Sequence, residues 1–373
     1  MKIVVERNDL FKAMGRAQSI VERRTTIPIL ANVLIFADDT GISLRTTDLD
    51  IEVIDKVSAK VETGGEITVS ANTLYEILRK LPDGSLIELV NDEISSMLQV
   101  KAGRSRFSLS TLPRDDFPLM TSTEYSCNFS IRSNVLKRLF DKTRFAMSSE
   151  ETRYYLNGVF FHVYSSQNEM SLRAVATDGH RLARVDVSLP EGASQMPGVI
   201  IPRKTVSELR MLIDEEEQDV GVSISESKVR FSTSEVSLTS KVVDGTFPEY
   251  DRVIPKGNNK KLEVNAYEFA KSVDRVATIS TERARAVKLT LSNNKLLLSV
   301  NSPESGAADE EMTVKYENES LEIGFNAKYL QEIASQVDKD NAVFLFNSPN
   351  DPALMREGSD ETAIYVVMPM RVW

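Results

Sequence analysis

Asp178 and His180 are the residues of this chain best spaced for proton transfer, within Ala176-Thr177-Asp178-Gly179-His180-Arg181-Leu182. A carboxylate beside an imidazole is a common general-base arrangement. A hydrolase built on it would also need a nucleophile or a metal, and the neighbouring sequence offers neither. Asp-Gly is also a common tight-turn pair, and locally the turn is the favoured reading. The catalytic pair and the hairpin turn are therefore both carried forward. The other histidine, His162, lies in Val159-Phe160-Phe161-His162-Val163 and reads as a strand residue. One cysteine, Cys127, and two histidines leave almost no room for a zinc site. The chain has no Gly-x-x-x-x-Gly-Lys-[Ser/Thr] loop, His-Glu-x-x-His, Cys-x-x-Cys or Gly-x-Ser-x-Gly elbow. We expect no catalytic residue, no metal and no cofactor.

The elements around this turn recur. Val5-Glu6-Arg7-Asn8-Asp9-Leu10-Phe11-Lys12, Ile131-Arg132-Ser133-Asn134-Val135-Leu136-Lys137-Arg138 and Val264-Asn265-Ala266-Tyr267-Glu268-Phe269-Ala270-Lys271 each run from an apolar strand into an amphipathic helix start. Their offsets, 126 and 133 residues, far exceed the roughly 20–50 of a solenoid repeat, so the unit is a domain. A second strand-to-helix segment follows in each copy, at Val69–Ile77, Ile201–Leu209 and Phe325–Ile333, with Glu76, Glu208 and Glu332 in matching places. Alternating runs at 286–291 and 295–300, split by Asn293-Asn294, predict antiparallel strands. Polar linkers are expected at 120–126 and 255–261. The reading is α+β, three similar domains at 1–122, 127–255 and 261–373, each with two helices on antiparallel sheets. Thr46-Thr47-Asp48-Leu49-Asp50 stands where the second copy has its Asp-Gly-His. The turn thus belongs to the fold, and Gly179, His180 and Arg181 elaborate it in one copy.

The chain's net charge of −10 argues against a nucleic-acid partner only if the charge is evenly spread. It is not. The six helix-bearing segments, 8–24, 70–80, 132–144, 203–210, 265–285 and 326–339, total +10 and leave −20 for the rest. Lys and Arg are also ordinary helix formers on solvated faces. On one shared concave face they would line a path for a phosphate backbone, with sequence-independent, salt-sensitive contacts. The lone cysteine fits a reducing compartment. No signal peptide or membrane span is read, so a cytoplasmic protein is expected.

The last segment, Ala363-Ile364-Tyr365-Val366-Val367-Met368-Pro369-Met370-Arg371-Val372-Trp373, is apolar throughout apart from Arg371. Its start reads as a buried strand. Pro369 cannot continue a central ladder, and two pliable Met side chains suit an adaptable apolar groove.

Arg153-Tyr154-Tyr155-Leu156-Asn157-Gly158, the Ala176–Leu182 turn, Phe247-Pro248-Glu249-Tyr250, Ile27-Pro28-Ile29-Leu30-Ala31-Asn32 and Tyr365–Arg371 together resemble the bacterial DNA polymerase III β subunit family, the sliding clamps. The resemblance runs the length of the chain, in order. It implies a non-catalytic, head-to-tail homodimeric ring of the DNA clamp fold, with helices lining a pore around duplex DNA. It implies as partners the polymerase III α subunit, the clamp-loader δ subunit and other proteins carrying short apolar-acidic clamp-binding motifs, and no membrane. The matching groove positions are Leu156, Thr177, Gly179, His180, Arg181, Leu182, Pro248, Arg252, Val253, Asn326, Tyr329, Val366, Val367, Met368, Pro369, Met370 and Arg371. The implied DNA contacts are Arg24, Tyr154 and Tyr155, with Lys12, Arg16, Arg138, Lys142, Arg203, Lys204, Lys271 and Arg275 on the basic helices. Arg138 and Lys142 are expected to be exposed. Two departures stand out. Trp373 is extra at the end, where it would cap the groove, narrow it or project into solvent. Glu150-Glu151, just before Arg153, would repel a phosphate backbone. The rivals are an enzyme using Asp178 and His180, and a sequence-specific DNA binder, which would need a base-reading helix on a basic domain.

Overall fold

The computed structural model describes residues 1–22, 26–92, 96–166, 169–213, 217–280, 286–337, 341–358 and 360–372. Among them are six α-helices: α1 (Arg7–Ile20), α2 (Ala71–Lys80), α3 (Ser133–Asp141), α4 (Arg203–Ile213), α5 (Ala266–Ala277) and α6 (Ala327–Ala334). Each starts on the residue after a strand ends, at the six places where the sequence repeats. At four of the six the switch is sharp because the junction residue caps the helix. Ser70 accepts from Thr73 N, Asn265 from Glu268 N and Asn326 from Lys328 N. Glu6 does the same for α1, accepting from Asn8 N and Asp9 N.

The chain forms two compact units, Met1–Lys137 with Pro190–Val242, and Arg138–Leu189 with Val243–Trp373. The first holds one antiparallel run of thirteen strands, from Cys127–Arg132 at one end to Ala59–Thr63 at the other. α1 and α2 pack together on it. Leu10, Ala13, Met14 and Ala17 recur at helical spacing and are buried with Leu74 and Leu78 of α2 and with Val33, Ile35 and Val69 of the strands. Each large side chain buried in this way contributes about 1.5–3 kcal/mol. Strand Val236–Lys241 pairs with Ile51–Val57, which continues the sheet of the first repeat into that of the second.

In the second unit, Gly158–Ser166, Glu169–Thr177, Arg181–Ser188, Ala363–Val367, Ala353–Glu357, Asn341–Phe346 and Lys260–Asn265 follow one another as antiparallel neighbours. The apolar segment from Ala363 to Val367 is therefore a central strand, buried at every position. A separate four-stranded sheet runs Gly306–Thr313, Lys295–Ser302, Ala286–Ser292, Leu321–Asn326. Its first hairpin turns where the Asn pair predicts, with Asn294 left-handed at φ 59°. One expectation shifts: Lys260 and Lys261 are strand rather than linker, because they pair with Phe346 and Leu345.

The two related turns share one hydrogen-bond scheme. Asp178 Oδ1 accepts from the N–H groups of His180 (2.9 Å) and Arg181 (3.0 Å), and Thr177 Oγ1 accepts from Gly179 N (3.0 Å). Asp48 Oδ1 accepts from Asp50 N (2.9 Å) and Ile51 N (2.7 Å), and Thr47 Oγ1 from Leu49 N (3.0 Å). Gly179 sits at φ 87° and Leu49 at φ 80°. The first copy thus holds a leucine in the left-handed region, where an L side chain costs about 1–2 kcal/mol, and the second relieves it with glycine.

Candidate functional site

Asp178 is a turn cap. Both its oxygens are engaged, Oδ1 as above and Oδ2 by Arg181 Nε at 3.1 Å. This overturns the acid–base option at this place: both carboxylate oxygens are tied into the turn. His180 is exposed, with its ring stacked near Tyr329 (6.4 Å between centroids, 22°). Its carbonyl accepts the N–H of Met368 at 2.8 Å. Arg181 is buried, only 7% exposed. Its guanidinium donates to Glu332 of α6 and to the Phe145 carbonyl (2.6 Å), and lies 4.4 Å above the Tyr329 ring. A buried charge is tolerable only when its donors are met in this way.

Beside this turn is an apolar pocket of about 140 Å³. It gathers nine of the groove residues expected from sequence: Leu156, Thr177, Gly179, Arg181, Leu182, Pro248, Val253, Val366 and Met368. The other eight lie outside its lining. Arg252 is exposed and paired with Glu249. Asn326 caps α6. Tyr329 and His180 stack beside Arg181. Val367 is wholly buried in its strand. Pro369, Met370 and Arg371 run on beyond the pocket as a tail. Trp373 lies outside the described residues.

Two lining residues were not foreseen, Glu249 and Tyr250. Both sit in Phe247-Pro248-Glu249-Tyr250, so the signal was present in a motif already singled out. Tyr250 is held from behind: its hydroxyl meets His162 Nε2 (2.9 Å) and Arg173 Nη1 (3.1 Å). Arg173 is itself clamped by Asp186 (2.5 and 3.1 Å) and stacked on Tyr164. His162 is thus a strand residue supporting the pocket wall, and burial pushes its pKa down.

The basic helix residues divide into two kinds. Lys12, Arg203, Lys271 and Arg275 are exposed. Arg275 pairs with Glu310, and the Lys271 ammonium lies 5.6 Å from the Tyr267 ring centroid. Arg16 is mostly buried against Asp55 (2.5 Å), whose carboxyl burial lifts to about 6. Lys204 reaches Asp48 (2.5 Å) and the Ile20 carbonyl (3.0 Å). Tyr154 is 54% exposed, in edge contact with the half-buried Tyr155. Glu150 pairs with Arg153 at 3.0 Å, which mutes its repulsion. Arg24 lies outside the described residues.

Arg138 and Lys142 are not the exposed pair that the sequence suggests. Arg138 donates to Asp360 and Thr362 (both 2.8 Å), and the Lys142 side chain, 14% exposed, donates to the Gln336 carbonyl and faces Glu357 at 3.6 Å. Spacing placed them on a polar helix face, but the chain ending α6 and the segment after strand Ala353–Glu357 fold over that face. Lys142→Glu is therefore expected to destabilise the protein by roughly 3 kcal/mol, by opposing Glu357 and leaving the Gln336 carbonyl without its donor. A thermal melt checks this; an unshifted midpoint would return Lys142 to the solvent-facing set.

The repeated glutamate has a repeated use. Glu208 of α4 accepts from Ser19 Oγ of α1 at 2.6 Å, while Lys204 one turn earlier holds the Asp48 turn. Glu332 of α6 accepts from Arg181 of the Asp178 turn. In both cases the second helix of one copy grips the copy before it. Glu76 of α2, the third, pairs only with its own Arg79 among the described contacts, beside an open hollow lined by Ile77, Leu81 and Phe107.

Three family models match in order: the DNA polymerase III beta subunit N-terminal domain over residues 1–121, its central domain over 130–249 and its C-terminal domain over 251–371. The chain belongs to the DNA polymerase III beta subunit family. It has the three-domain clamp fold of that family, which is non-catalytic. It is 49% identical over 372 residues to the beta sliding clamp of Caulobacter vibrioides and 38% over 375 residues to that of Escherichia coli, each covering all of both chains. Among solved structures it is similar to the sliding clamp of Bartonella birtlesii bound to griselimycin, at TM-score 0.96 and 50% identity over the full length of both.

Proposed function

We propose that this protein, a DNA sliding clamp, tethers its partners through the pocket at Met368 and meets duplex DNA with the exposed basic faces of its helices. As a processivity factor it does no chemistry. It encircles DNA as a dimer and holds the polymerase there. The observation that carries the tethering site is the pocket itself. It is built from the one-copy elaboration at Thr177–Leu182 and the tail at Met368, and its apolar lining has a buried arginine at one side. That chemistry suits a short peptide with apolar anchors and an acidic residue, such as those of the polymerase α subunit and the clamp-loader δ subunit. The division into domains at 1–122, 127–255 and 261–373, and a cytoplasmic setting, belong to the same reading; no helix among the described residues is long and apolar enough to cross a membrane.

The dimer contact has support in two unpaired strand edges. Ser105–Leu112 pairs along one side with Met97–Ala102, but on the other only Thr111 and Leu112 are paired. Among the described residues, Gly306–Thr313 pairs only with Lys295–Ser302. Exposed edges invite a second strand. One edge carries exposed Arg104 and Arg106 and the other exposed Asp309 and Glu311. Head-to-tail pairing of two copies would join these opposite charges and cover the hollow beside Glu76, the helix-gripping place left open in the repeat.

The test is topological. Protein placed by a clamp loader on nicked circular DNA is expected to stay through gel filtration, and to be lost when the circle is cut once. Equal retention on both forms would exclude sliding encirclement.

A further inference from the structure

The tail after Val367 is fastened at two points with Pro369 between them. Met368 N–H donates to the His180 carbonyl at 2.8 Å, and Met370 N–H donates to the Gly324 carbonyl at 2.7 Å. Pro369, which has no N–H, needs no partner there. Met370 and Gly324 form an antiparallel bridge, so the tail lies along the open side of strand Leu321–Asn326. On its other side that strand is paired with Ala286–Ser292, with Gly324 opposite Lys288. It cannot retreat without losing this ladder.

Gly324 is buried, and its backbone is not in the left-handed region, so conformation does not explain a glycine in mid-strand. Space does. A Cβ at this position would lie 2.7 Å from the Met370 carbonyl oxygen and would also meet the Val372 side chain. A glycine inside a strand often marks a close approach of another backbone. We propose that Gly324 is the seat of the tail: a positioning residue that keeps Met370-Arg371-Val372 against the sheet and so holds Met368 at the edge of the pocket. This rests on the reading of that pocket as the partner-binding site.

The full-length dimer carrying Gly324→Ala is compared with the parent in two measurements. One is titration of a fluorescein-labelled peptide bearing a clamp-binding motif. The other is fluorescence anisotropy of Trp373, the chain's single tryptophan, three residues after Met370. The variant is expected to weaken peptide binding about tenfold, as loss of a buried anchor does, and to lower Trp373 anisotropy, while dimer mass is unchanged. In a chain ending at Pro369 the same substitution is expected to change affinity no further, because nothing remains to displace. Val372→Gly, which empties the seat from the tail side and leaves the strand intact, is expected to weaken binding about threefold. If Met368→Ala weakens binding and Gly324→Ala does not, the seat is wrong and the groove stands. If neither does, the groove reading falls. An equal loss from Gly324→Ala in the shortened chain would place its effect in the strand and overturn the proposal.

Discussion

Arg104→Glu combined with Arg106→Glu is expected to convert the dimer largely to monomer at micromolar concentration. Both side chains are exposed, on or next to the open edge of strand Ser105–Leu112. The edge proposed to receive them carries Asp309 and Glu311. Close charge pairs across interfaces couple by about 1.5–7 kcal/mol, so reversing two of them predicts at least a 100-fold weaker dimer. The fold of each copy has little stake in these residues, because neighbouring Phe107 and Leu109 do the packing against the core. Sedimentation velocity reads the mass, and circular dichroism reads the fold. Adding Asp309→Arg and Glu311→Arg to the same chain is expected to restore much of the dimer, since both edges then exchange sign. A double variant that remains dimeric would rule out this pair of edges.

Met368→Ala is expected to weaken a clamp-binding peptide by about 10- to 30-fold, and removal of residues 370–373 by at least as much. Met368 is the tail residue that lines the pocket, with Leu182 and Val366 beside it and Tyr250 in the same lining. Truncating a buried apolar anchor in a small pocket typically costs about 1.4–2 kcal/mol of binding. The central strand Ala363–Val367 ends before Met368, so Met368→Ala should leave the sheet and the dimer undisturbed, whereas removal of residues 370–373 also takes away the Met370–Gly324 bridge. For Met368→Ala the predicted loss therefore appears in peptide titration and not in the melting temperature. Unchanged affinity with a lowered melting temperature would mean that the tail is structural alone.

The six strand-to-helix starts were legible in the sequence because their causes are local. An apolar alternating run and a helical spacing of apolar residues lie within a dozen residues of one another and recur at each copy, and in the first and third copies a capping residue joins them. The Asp178 turn was legible for the same reason: its side chain closes on the two following amides, as Asp48 does in the first copy. What misled was exposure. Lys142 stands on a face that is polar by periodicity, and only the approach of Gln336 and Glu357, about two hundred residues later in the chain, buries it. The phenol of Tyr250 shows the same limit. Its motif is visible, but its supports, His162 and Arg173, come from strands far from it in sequence.

Sequence by itself determined the threefold repeat, the α+β class, the segregation of positive charge onto helices and the family. Each of these is a property of local pattern or of its recurrence. Only the tertiary structure decided which charges face solvent, which eleven residues share a pocket and why position 324 is glycine. Those depend on segments distant in the chain being brought within a few ångströms, and pairwise contact of that kind leaves no periodic trace in the residues that make it.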